Sequence, residues 1–168
     1  VGVLDARVNG DRSPAPVLTN QATNWGNISV VTGGQLIDTT ESVETVDVYA
    51  REFRLNAATG AGTGGDHIET EVARMSAEVR GGGVFLTESS NIEIGQTAAL
   101  TLKNVGVDGL AVSATPDVVQ SDFMVTGALV LQAAGSILVA EGDADPGTLG
   151  VSASGNVLLQ TGGAGSNL

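Results

Sequence analysis

The chain has 168 residues and no cysteine, so a disulfide framework and a thiolate metal site are both excluded. Its formal net charge of −12 argues against nucleic acid and anionic lipid as partners, and it contains no apolar run long enough to span a membrane as a helix. The apolar content of 42% comes from valine, leucine, isoleucine and alanine, with 3% aromatics and 24 glycines, a composition suited to aliphatic ladders between closely spaced strands.

Residues 1–27 are the least regular part and read as an N-terminal cap or covering segment. Trp25, the only tryptophan, is expected to be buried against the first rung, with an exposed sugar-stacking platform as the alternative. From residue 28 the pattern becomes strand, small-residue corner, strand, first in Ile28-Ser29-Val30-Val31-Thr32-Gly33-Gly34-Gln35-Leu36. Val46 to Ala50 alternates again, and Phe53 and Leu55 face inward between outward charges. Gly60 to Asp66 contains Gly60-x-Gly62, but without a strand-to-helix context it reads as a turn, not a phosphate cradle. Residues 66–80 admit two readings. Ile68, Thr70 and Val72, then Met75, Ala77 and Val79, alternate as two strands with a corner near Ala73-Arg74; Ile68, Val72, Met75 and Val79 also fit a helix capped by Asp66.

The later chain repeats itself. Val84, Leu86, Ile92 and Ile94 recur 45 residues on as Leu129, Leu131, Ile137 and Val139, and Val157 and Leu159 begin a third copy. That offset is two rungs of about 22 residues, a solenoid period. Ala99 to Leu102, Gly109 to Ser113 and Phe123 to Val125 are further short strands, and Glu141 to Gly147 is an insertion. The chain starts at Val1 and ends in a turn-like Gly162-Gly163-Ala164-Gly165 segment, so it is expected to be a piece of something longer.

Gly60-Ala61-Gly62-Thr63, then Ile68-x-Thr70-x-Val72-x-x-Met75-x-Ala77, Gly82-Gly83-Val84-Phe85-Leu86 and Ile92-x-Ile94-Gly95 form a recognisable series. With Gly155-Asn156-Val157-Leu158-Leu159 and Gly162-Gly163, it resembles the β-solenoid repeats of filamentous-haemagglutinin-like adhesins and related giant bacterial surface proteins. The resemblance covers about residues 53–163; residues 1–50 do not share it. It implies an all-β chain folded as a right-handed parallel β-helix, an extracellular or cell-surface location, and a structural or adhesive task toward protein or glycan surfaces. Combined with the repeat spacing, it gives one domain over residues 1–168, with rungs over 28–168. About seven rungs at ~4.8 Å make a rod on the order of 30–35 Å long.

Chemistry is sparse. Parallel β-helices include polysaccharide lyases and glycoside hydrolases, so a carbohydrate-active enzyme is the first alternative and a self-assembling filament subunit the second. His67, the only histidine, reads as a solvated turn residue, and Lys103 and Arg80 are too isolated for a basic cluster. Glu141, Asp143 and Asp145 could wrap Ca²⁺ through oxygens, although the loop lacks the EF-hand glycine and distal glutamate. Glu88 occupies the rung position of Ala133 and has no acidic ladder partner. The expectation is therefore a non-enzymatic segment with no other cofactor. Alternation sends Phe85, Val130 and Leu158 outward at one repeat position, an apolar stripe that needs a cover. Residues 1–27 folding back, or a neighbouring copy packing laterally, would supply it; end-to-end association through open rungs is a further possibility.

Overall fold

Aliphatic residues at every second position leave one face of each segment apolar, and stacking those faces removes them from water. The computed structural model describes residues 2–12, 21–38, 45–101, 108–110, 116–142 and 149–168. Among these the chain is all-β, with one large parallel sheet and almost no helix, an arrangement that fits a β-helix. In chain order the elements are β1 (Leu4–Asp5), α1 (Gln21–Asn24), β2 (Ile28–Thr32), β3 (Gln35–Leu36), β4 (Val48–Ala57), β5 (Gly60–Ala61) and β6 (Ile68–Val79). They continue as β7 (Val84–Glu88), β8 (Ile92–Ile94), β9 (Phe123–Val125), β10 (Leu129–Ala133), β11 (Ile137–Val139), β12 (Val151–Ala153) and β13 (Val157–Thr161).

The strands stack in three faces, each with an inward column in register. Leu36, Ala61, Val84, Leu129 and Val157 form the column of the first face. Ile28, Phe53, Met75, Ile94 and Val139 form that of the second. Val30, Leu55, Ala77, Phe123 and Val151 form that of the third. Middle members of each column are fully buried, whereas Val139 and Val157 in the last strands are partly open. The 45-residue repeat is a literal register, but as one step of the stack and not two rungs of about 22: Val84 pairs directly with Leu129, Leu86 with Leu131, and Ile92 with Ile137.

Residues 66–80 are strand and not helix. β6 runs unbroken from Ile68 to Val79 and serves two faces by turning a corner. Thr70, Glu71 and Val72 are buried in succession and Ala73 and Arg74 are half-buried, so the alternation breaks where the corner was expected. β4 bends in the same way, which is why these two strands outrun all the others. Thr97, just after β8, and Gln120, just before β9, pair antiparallel. Ser76 Oγ lies 2.7 Å from Thr97 Oγ1, and Gln120 Nε2 donates to Leu55 O at 2.9 Å, tying this pair to the third face.

At the N-terminus Trp25 is buried, not displayed. Its Nε1–H donates to Asp11 Oδ2 at 2.8 Å, and its ring meets Tyr49 edge-on at 6.3 Å. The Arg7 guanidinium sits 3.6 Å above the Tyr49 ring and is held there by Asp5 at 2.9 Å, a cation–π contact locked by an ion pair. α1 packs against β4 and β6.

Candidate functional site

The outer surface of the first face carries the apolar stripe. Phe85, Val130 and Leu158 are consecutive in register between β7, β10 and β13, and the neighbouring inward positions on both sides are apolar. The cover over Phe85 comes from a part of the chain that composition alone assigns to a turn. Ala61 pairs with Val84 and Ile68 with Leu86, so residues 62–67 bulge outward opposite Phe85. The His67 ring lies 6.1 Å from the Phe85 ring. Gly62 has φ +62°, and a Cβ there would fall 2.5 Å from Phe85 O, so this loop needs glycine to lie so close. The described part of residues 1–27 places α1 elsewhere, on β4 and β6. Beyond the loop the stripe opens: Val130 is half-buried and Leu158 is 45% exposed.

A polar column runs beside the stripe. Glu69, Thr87, Gln132 and Gln160 stand in register on the same outer surface. His67 Nδ1 is 2.9 Å from Thr87 Oγ1, and Gln132 Nε2 donates to Gln160 Oε1 at 3.3 Å. A shallow groove of about 350 Å³ lies along this column, lined by Thr87, Gln132, Ala133, Ala134, Gln160 and Gly162 among others.

The acids fall into three settings. Glu88 ends β7 on the inward side, above Ala133 and below Thr70, and is fully buried. Thr70 Oγ1 donates to it at 2.7 Å, and the Val72 and Ser90 N–H groups donate at 3.1 and 3.0 Å. Burial nevertheless pushes its carboxyl up to about 8, with the nearby Glu71 charge acting in the same direction. Glu71 is also raised by burial and accepts Gln21 Nε2 of α1 at 2.7 Å.

On the outer second face Glu52, Arg74, Glu93 and Leu138 stand in one column. Arg74 forks onto Glu93 at 3.0 and 3.1 Å, and Glu52 accepts the Ala98 N–H at 2.8 Å. A groove of about 350 Å³ here is lined by Ala22, Arg51, Glu52, Ala73, Arg74 and Glu93. Its two carboxylates are thus each engaged by a cation or a backbone donor.

Asp38, Asp47 and Glu69 bring carboxylate oxygens within 4.8 Å of one another. Asp47 is pushed up to about 6, first by burial, against the Glu69 N–H that favours its ionised form and with the Asp38 contact adding to the rise. Of the calcium loop, Glu141 is exposed next to Gly142, whose N–H donates to Asp122 Oδ1 at 3.1 Å; Asp143 and Asp145 lie outside the described residues.

The sequence places Glu88 at the rung position of Ala133 but misses its complete burial and its donors. The signal was there, since Val84, Leu86 and Glu88 share one parity of the strand and two of them are inward. The Glu52–Arg74–Glu93 column has no such signal, because its members come from three strands whose register only the stacking reveals. Comparisons with protein-family models, with curated proteins and with solved structures find no match for the chain.

Proposed function

We propose that the chain is a structural and adhesive β-solenoid segment of a large secreted bacterial surface protein, without an enzymatic site, wound as a right-handed parallel β-helix. The observation that carries this reading is the continuous register of three inward apolar columns, each five strands deep among the described residues. Such a stack defines an axis along which a chain of any length can be extended by adding rungs, and its interior is fully used for stability. We put the turn count at about five, below the about seven that uniform spacing of about 22 residues implies. Residues 95–122 separate β8 from β9, and residues 140–150 separate β11 from β12, so the period is not uniform. The right-handed sense follows the general preference of parallel strand crossovers.

A carbohydrate-active enzyme is the competing reading, and the acid-lined groove at Glu52 and Glu93 is the observation that favours it. Against it, Arg74 forks onto Glu93 and a backbone donor holds Glu52, a poor arrangement for a proton donor that must release its proton to a leaving group. The deciding experiment incubates the purified chain with neutral and uronate polysaccharides and follows new reducing ends and unsaturated products. No turnover, with or without retention on the polysaccharide, is expected. Turnover that disappears in Glu93→Gln would replace the structural reading with the enzymatic one.

A further inference from the structure

We infer that the outer surface of β10 and β13, centred on Val130, Leu158, Gln132 and Gln160, is a self-association face that meets the same face of a second copy of the chain. The inference goes beyond the rod reading and stands or falls separately, because it is read from mass and not from adhesion.

The first observation is where the charge stops. In a chain of net charge −12, residues 123–140 and 149–168 contain no charged side chain. The outward columns change character together on entering this region. Glu69 gives way to Thr87, Gln132 and Gln160 on the first face. Arg74 and Glu93 give way to Leu138 on the second, and Glu78 to Met124 and Ser152 on the third. Solvated sheets and edges are ordinarily kept apart by charge, so the strands of the last two turns lack that protection themselves; the acids of this part of the chain, Glu141, Asp143 and Asp145, fall between β11 and β12 and not on a strand. They also expose apolar side chains, with Leu158 at 45%, Leu138 at 58% and Met124 at 60%.

The second observation selects the first face. Its stripe is the one whose upper end the chain itself covers, with the loop 62–67 over Phe85, while Val130 and Leu158 continue the same column without that loop. The adjoining amides of Gln132 and Gln160 each offer a donor and an acceptor, so the column is complementary to a copy of itself. Two stripes and two amide columns can therefore meet across a two-fold axis with like facing like.

Charge also selects the occupant. Two copies repel wherever their acidic turns approach, and this surface is where they can touch without opposing like charges. A basic partner would be drawn to the acidic turns instead. A glycan would want an aromatic platform, and valine and leucine supply none. A standard interface buries ~800 Å² per partner, and a contact centred on two apolar side chains and two amides is expected to be weak and concentration-dependent.

The test is analytical ultracentrifugation of the chain over a wide concentration range at low and high ionic strength. A reversible monomer–dimer equilibrium is expected, tightening as salt screens the repulsion between acidic turns. Leu158→Asp should weaken it by about tenfold or more while melting stays near that of the parent, since Leu158 is exposed. Gln160→Lys and Gln160→Glu should each dimerise poorly alone, and an equimolar mixture of the two should restore the dimer. A chain monomeric at every concentration overturns the inference. So does a dimer indifferent to Leu158→Asp or loosened by salt. Open-ended assemblies, or a mixture of the Gln160 variants that fails to pair, would overturn the two-fold contact.

Discussion

Glu88 is expected to make the folded chain lose stability as the pH rises. Its carboxyl, ordinarily near 4.5, is held at about 8 by burial inside the stack. Across that window the folded chain keeps a proton that the unfolded chain has released. The stabilisation is therefore complete below about 4.5 and is lost as the pH climbs through 8. At about 1.4 kcal/mol per pH unit the window is worth at most about 5 kcal/mol. The donors from Thr70, Val72 and Ser90 suit the ionised form and already oppose burial in setting that value. Glu71 and Asp47 are raised as well and add the same sign, Asp47 only up to about 6. The assay is urea unfolding followed by far-ultraviolet circular dichroism at successive pH values, for the parent and for Glu88→Gln. Glutamine keeps the volume and one carbonyl acceptor but cannot ionise. The parent should weaken steadily between pH 6 and 8, and Glu88→Gln should lose most of that slope. A variant with the parent's slope, or a parent whose stability rises over this range, would refute the reasoning.

Three other expectations follow from the same packing. Leu131 is fully buried between Leu86 and Leu159, so Leu131→Asp should cost several kcal/mol or unfold the chain, whereas Val130→Asp, one residue away on the outer side, should cost about 1 kcal/mol; equal melting of the two would reverse the inward assignment. Gly127 has φ +124° and an added Cβ would lie 1.7 Å from Gly82 O, so Gly127→Ala should destabilise by about 3 kcal/mol or more, while Gly33→Ala, where a Cβ meets nothing within 4 Å, should be close to neutral by thermal melting. Calorimetric titration with Ca²⁺ checks the Glu141, Asp143 and Asp145 loop: saturable heat with raised melting would support oxygen ligation, and no heat with unchanged melting removes it.

The inward columns were legible because alternation and a 45-residue offset both report them, and both survive as literal register between β7, β10 and β13. The corner in β6 was legible for a different reason, since Ala73 and Arg74 interrupt two alternating runs. The burial of polar residues on the inward side was not. Thr70 and Glu88 sit in the stack beside Val48 and Ala133; alternation places Thr70 with Ile68 and Val72, and the repeat places Glu88 with Ala133, but neither pattern says that a carboxyl is fully buried there. The cover over Phe85 was hidden because it comes from a loop inserted within a strand, and pairing of Ala61 and Ile68 with the same partner strand is needed to see it.

The stacking itself is tested most directly by scalar couplings across its hydrogen bonds, measured by nuclear magnetic resonance on deuterated protein. The Leu129 N–H donates to Asn156 O at 2.9 Å and the Val84 N–H to Ala128 O at 2.8 Å, bonds that join residues far apart in sequence and exist only if the turns lie parallel in this register. Resolved couplings from the Leu129 amide to the Asn156 carbonyl and from the Val84 amide to the Ala128 carbonyl are the predicted result. Couplings from these amides to other carbonyls, or rapid solvent exchange of both, would contradict the parallel stack and with it the structural reading.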